Sequence, residues 1–225
     1  MISVKNLTKT YVSGEVITPV LKGIDLEVQK GEFLAIMGKS GAGKSTLMYQ
    51  ISLLDIPTSG DVSVADVDIL SLSETQRTDF RLRKLGFIFQ DYALVPELTA
   101  QENISIPLLM QGFDSDDAKA RAYAVIDSVE MEGKYNNRPN QLSGGEQQRI
   151  SVARAIVQNP EILFADEPTA NLDSGSSEAV ITLMHELHKK GQTIVMVTHE
   201  PEYTKYCDRI IYLEDGLITD YDYKI

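Results

Sequence analysis

Gly38-Lys39-Ser40-Gly41-Ala42-Gly43-Lys44-Ser45 directly follows the apolar run Phe33–Met37 and leads into a stretch with helical character from Thr46. A buried strand, a glycine-rich turn and a helix in that order constrain the chain more than any other feature. Glycines let successive backbone N–H groups turn inward to form an anion-binding nest, and the helix that follows adds the positive end of its dipole. Gly38, Ser40, Gly41, Ala42 and Gly43 would line the nest. Lys44 would reach the outer phosphates of a nucleotide as a point charge, the Ser45 hydroxyl would hold Mg²⁺, and Thr46 completes the nucleotide-binding set. The bare pattern arises by chance in about 1 in 100 chains of this length, and the flanking strand and helix make a ligand-free turn the weaker reading.

A second constellation lies at Ile162-Leu163-Phe164-Ala165-Asp166-Glu167, where an apolar strand ends on two carboxylates. Open parallel sheets present ligands at the carboxyl ends of their strands. Asp166 suits a Mg²⁺ ligand, and Glu167 can orient or deprotonate the water that attacks a terminal phosphate. An Asp-Glu pair alone would ordinarily be a solvated loop, so this reading leans on the nest.

The rest of the chain is organised around these two segments. Alternation at Ile2, Val4 and Leu7, then Val20–Val28 and Phe33–Ile36, predicts a β-rich opening. A turn is expected at Pro57–Gly60 and a buried strand at Leu85–Phe89. Helical spacing appears at Leu98–Glu102, Asp116–Glu130 and Gly145–Val157, with Asp114 or Ser115 as caps. Short apolar runs at Ile162–Ala165 and Thr193–Thr198 flank a helix from about Ser174 to Lys190, the βαβ rhythm of a parallel sheet. Asp208–Ile218 reads as a closing hairpin with Asp215-Gly216 at its turn.

Composition narrows the partners. A net charge of −12 disfavours a chain built to hold a nucleic-acid backbone. The single cysteine, Cys207, excludes an internal disulfide framework and a thiolate zinc cluster, and suits a reducing compartment. The start of the chain lacks a secretory pattern, and no segment approaches the roughly 18 apolar residues of a spanning helix. A membrane role would therefore run through another chain.

Leu142-Ser143-Gly144-Gly145-Glu146 resembles the signature sequence of the ATP-binding cassette (ABC) ATPases. Read without the family, Ser-Gly-Gly before a helix is an ordinary N-cap. The resemblance implies instead that Ser143, Gly144 and Gly145 contact the ATP held by the opposite subunit, so that two chains sandwich two nucleotides. Glu146 stands where many relatives carry Gln, and no role follows for it. Other positions match in order. Gln90 resembles the glutamine that contacts Mg²⁺ or water and senses the membrane partner, Asp173 in Ala170-Asn171-Leu172-Asp173 resembles the D-loop, and His199 resembles the switch histidine on the γ-phosphate. Tyr11 would be the aromatic platform for adenine, although a strand-packing role fits the same spacing.

The resemblance spans essentially the whole chain. It implies an α/β fold, namely a P-loop NTPase core with a parallel sheet, an N-terminal antiparallel β subdomain and an inserted helical subdomain. One domain is expected over 1–225, with about 1–90 and 150–225 as core and about 91–149 as the helical part. Gly86–Asn103 and Pro107-Leu108-Leu109 look like the lipoprotein-release, macrolide-export and peptide-antibiotic resistance branch. The implied protein is an ATPase that uses ATP and Mg²⁺ and forms a homodimer on ATP binding. It would meet a membrane permease subunit through the region around 90–103, at the cytoplasmic face of the membrane. A soluble ABC ATPase of chromosome maintenance, DNA repair or translation would carry a coiled-coil insertion, zinc cysteines or a second cassette, and none is present. A non-hydrolysing regulator would lack the base or the lysine, whereas Lys44, Glu167 and His199 are all in place.

Overall fold

The computed structural model describes residues 1–223. The chain divides into two compact units, one built from Met1–Arg81 with the chain from His188 onward, the other from Leu82–Leu187.

The first unit opens with two long antiparallel strands, β1 (Ile2–Ser13) and β2 (Val16–Val28). They extend well beyond the alternating segments, because cross-strand pairing carries them through exposed residues, among them Val12, Val16 and Ile17, up to the turn at Gly14. A second hairpin, β4 (Ser59–Val64) with β5 (Val67–Asp68), pairs along the other side of β1, giving the order β2-β1-β4-β5. The turn expected at Pro57–Gly60 runs into β4, which already begins at Ser59 and pairs there with Thr8. Val62 and Val64 are its buried positions, two apart as the pleat requires.

Strand β3 (Phe33–Met37) is buried at every residue, which fits a strand covered on both faces. It lies parallel between β8 (Thr193–Val197) and β9 (Arg209–Glu214), and β10 (Leu217–Tyr223) closes an antiparallel hairpin on β9. The turn of that hairpin is Asp215-Gly216, with φ of 47° and 79°, as Asp-Gly in a type I′ turn demands. Helix α1 (Lys44–Ile51) leaves the glycine-rich loop that follows β3. Helix α2 (Glu74–Lys84) had no counterpart in the sequence reading. It buries Phe80, and its other apolar residue, Leu82, lies only two positions on, so the helix offers no 3.6-residue apolar period.

The second unit pairs two buried parallel strands, β6 (Leu85–Ile88) and β7 (Ile162–Asp166), in the register Leu85↔Ile162. Between them in sequence come α3 (Ala100–Met110), α4 (Ser115–Ser128) and α5 (Gly144–Ile156), and α6 (Ser174–Lys189) follows β7. Helices α3 to α5 share an apolar core that includes Ile104, Leu108, Ala122, Ile126 and Ile150. Asp114 caps α4, accepting from the N–H groups of Asp116 and Asp117. Helix α3 begins later and runs further than the sequence suggested. Thr99 and Glu102 form a capping box that fixes its start, and the helix continues through Pro107. Among the described residues no helix is long and apolar enough to cross a membrane.

Candidate functional site

In the first unit, the loop from Gly38 to Gly43 takes the shape of an anion nest. Gly38, Gly41 and Gly43 all lie at positive φ, 151°, 80° and 101°. Gly38 could not be replaced without a clash, because a Cβ there would fall 2.2 Å from the Leu213 carbonyl oxygen. Gly43 caps α1 in the left-handed conformation, and the Leu47 N–H closes the first turn on its carbonyl at 2.8 Å. Lys44 is buried, and its ammonium curls across the loop to donate to the carbonyls of Gly38 at 2.9 Å and Lys39 at 3.1 Å. The long lysine is thus held over the concave side of the loop, where a phosphate charge would meet it. Ser45 and Thr46 follow on the first turn of α1.

Two further expected residues sit in this unit. Tyr11 lies on β1, 42% exposed, with its hydroxyl donating to Asp55 Oδ2 at 2.9 Å. Burial and the Asp55 carboxylate raise its phenolic pKa, and the Thr46 side chain is within hydrogen-bonding reach. His199 is exposed just past the end of β8, after Thr198, whose hydroxyl accepts from the Glu200 N–H at 3.0 Å.

The second unit holds the other positions. Asp166 ends β7, buried, and Glu167 follows in a left-handed conformation with φ of 45°. A glutamate at that φ is strained, and such strain persists where surrounding structure over-determines it, commonly at functional sites. Gln90 is exposed beyond β6, and its carbonyl accepts from Asn171 Nδ2 at 2.9 Å, tying it to the loop that carries Asp173. Asp173 caps α6 through the N–H of Ser176 at 3.0 Å and its hydroxyl at 2.7 Å, which hold its carboxyl below the usual range.

Ser143 caps α5, and the residue the sequence left without a role completes the cap. Glu146 Oε2 accepts from the Ser143 N–H at 2.8 Å, while the Glu146 N–H donates to Ser143 Oγ at 3.3 Å. Lys134 pairs with the same carboxylate at 3.0 Å. The Ser143 N–H and Lys134 together lower the Glu146 pKa. Ser-x-x-Glu is a sequence-readable capping box, so the signal was present. Gly145 allows close packing on the start of α6, since a Cβ would meet Ser176 Oγ at 2.5 Å.

Two residues of α5 escaped the sequence reading. Gln148 is fully buried, and its Nε2 donates to the carbonyls of Phe89 at 3.3 Å and Pro168 at 2.7 Å. One side chain therefore joins the residue before Gln90 to the residue after Glu167. Arg154 donates to the carbonyls of Tyr92, at 2.9 Å, and Ala93. Those two residues both have positive φ, 62° and 49°, so the guanidinium clamps a strained turn. Bonds to main-chain carbonyls leave no motif, and Gln147-Gln148-Arg149 reads only as polar helix.

The strand-nest-helix geometry and the carboxylates ending a buried parallel strand define a nucleotide-binding α/β protein. The sequence profile described as ABC transporter matches residues 21–170. The chain is 47% identical over 220 residues to the uncharacterized ABC transporter ATP-binding protein MJ1508 of Methanocaldococcus jannaschii, covering 98% of each chain. It is 45% identical over 220 residues to the lipoprotein-releasing system ATP-binding protein LolD of Syntrophotalea carbinolica, covering 97% of each. Among solved structures, the dimeric post-hydrolysis state of the ATP-binding cassette MJ0796 bound to ADP and Pi superposes with a TM-score of 0.92. That cassette, from M. jannaschii, is 41% identical in the superposition, which covers 99% of this chain and 98% of that one. The chain belongs to the ABC transporter family, as an ATP-binding, ATP-hydrolysing subunit.

Proposed function

We propose that two copies of the chain close head to tail on two ATP molecules and that the closing and opening drive a separate membrane permease. In this reading Gly38 to Thr46, Lys44 above all, hold the phosphates of one nucleotide, and Tyr11 stacks on its base. Ser143, Gly144 and Gly145 of the opposing copy cover the terminal phosphate, and Asp173 lies near the same junction. The donor set assigned to Mg²⁺, the Ser45 hydroxyl, the Asp166 carboxylate and the Gln90 amide oxygen, is all oxygen, as that hard ion requires. When bound, Mg²⁺ would neutralise charge on the β- and γ-phosphates. Glu167 orients or deprotonates the attacking water, and His199 hydrogen-bonds the γ-phosphate.

The observation that carries this reading is the nest itself, with a buried lysine held across three glycines at positive φ. Residues of about 1–90 and 150–225 would form the catalytic core, and about 91–149 the helical part that presents the signature. The permease would dock through the region around 90–103, from the cytoplasmic face of the membrane, in export, lipoprotein release or transmission of force. The name of the relative LolD supports that branch.

Phosphoryl transfer depends on positioning and charge stabilisation. Glu167→Gln should therefore bind ATP as the wild type does while losing nearly all turnover, and Lys44→Ala should lose binding. Steady-state phosphate release with a parallel ATP-binding assay decides it. Wild-type turnover in Glu167→Gln would remove Glu167 from the chemistry.

A further inference from the structure

We propose that Asp55 is a positioning residue for the base of the nucleotide, through its hold on Tyr11, an inference that rests on Tyr11 being the base platform. The carboxylate is the hub of a small cluster within the first unit. Its Oδ2 accepts from the Tyr11 hydroxyl at 2.9 Å, from Gln50 Nε2 at 3.1 Å and from the Lys9 ammonium at 2.8 Å. Oδ1 accepts from the Ile56 N–H at 2.7 Å, which fixes the plane of the carboxylate against its own backbone. Lys9 is buried and donates also to the Ile56 carbonyl at 2.6 Å.

The consequence for Tyr11 lies in which side of its ring remains available. The Lys9 ammonium stands 4.8 Å from the ring centroid, over one face. A cation at that distance is attracted by the ring's π-density and shields that face from a second partner. Tyr11 is 42% exposed and Lys9 is buried, so the ring's open side faces away from the ammonium. Asp55 anchors both: it fixes the hydroxyl, which sets the ring's tilt, and it neutralises the lysine that closes the other face. Gln50 belongs to α1, the helix that leaves the phosphate nest, so the ring angle is referred to the same element that holds the phosphates. An exposed aromatic side chain would otherwise rotate freely about χ1 and χ2, and stacking would cost that freedom at each binding event.

The experiment separates the base from the phosphates. Dissociation constants for ATP and for inorganic triphosphate are measured, with EDTA present to stop turnover, for the wild type, Asp55→Ala, Asp55→Asn, Tyr11→Phe, Tyr11→Ala and the Asp55→Ala/Tyr11→Phe double variant. Losing a charge-assisted hydrogen bond at a partly exposed site predicts ATP binding weakened about three- to tenfold in Asp55→Ala, with triphosphate changed by less than about twofold. Asp55→Asn, which keeps an acceptor, should recover part of the loss, and the double variant should bind ATP no more weakly than the poorer single variant. If Tyr11→Ala weakens ATP while Asp55→Ala leaves it unchanged, the platform stands and the positioning role is overturned. If Tyr11→Ala itself binds ATP like the wild type, the platform reading fails and this inference falls with it. Equal weakening of ATP and triphosphate in Asp55→Ala would place its effect on the nest or the fold, and would also overturn the proposal.

Discussion

Glu167 shows most plainly how one residue carries both strain and chemistry. Its φ of 45° suits glycine, and a side chain held there costs on the order of 1 kcal/mol or more. Glu167→Gly should therefore raise stability by about 0.5–1 kcal/mol in denaturant titration while abolishing hydrolysis. An unstable Glu167→Gly variant would mean that contacts of the side chain outweigh the backbone strain. Gly38 makes the opposite case. Its φ of 151° and the 2.2 Å approach to Leu213 predict that Gly38→Ala loses about 2 kcal/mol or more, together with nucleotide binding. Asp55 supplies a pH signature. Burial pushes its pKa up, but the hydrogen bonds from Lys9, Gln50, the Ile56 N–H and Tyr11 bring it down from 3.8 to about 2. Because the folded value lies below the unfolded one, the stability Asp55 contributes is complete above pH 3.8 and disappears as pH falls through about 2. The stability gap between wild type and Asp55→Asn should narrow across that acid window, as followed by thermal unfolding.

At the scale of elements, α5 does more than its sequence suggests. Its first turn carries the signature Ser143 and the Glu146 capping box, and its second carries Gln148 to the carbonyls of Phe89 and Pro168. Replacing Gln148 with Leu would orphan two inward-facing carbonyls and release both loops. We expect Gln148→Leu to lose about 1–3 kcal/mol of stability and to lower kcat more than ATP affinity. A variant with full kcat would show that the two loops keep their geometry unaided. Much of this architecture was legible in advance, for stated physical reasons. Phe33–Met37 and Ile162–Ala165 read as buried strands because they are uniformly apolar, and the β9–β10 hairpin because Asp-Gly fixes its turn. Helix α2 was not legible because it buries Phe80 alone, and β5 because two residues hold no period. The same limit hid Gln148 and Arg154, whose partners are backbone oxygens distant in sequence.

For the whole molecule, the distribution of motifs between the two units sets the problem. The nest, Tyr11 and His199 belong to one unit, and Gln90, the signature, Asp166, Glu167 and Asp173 to the other. In the proposed reading the signature covers a neighbouring copy's nucleotide, and the superposed MJ0796 cassette is dimeric. Whether ATP joins two copies of this chain is decided by light scattering of Glu167→Gln after gel filtration, with and without ATP. A monomer that becomes a dimer only when ATP is present is the predicted result; a protein that binds ATP and yet keeps the mass of a monomer would contradict it.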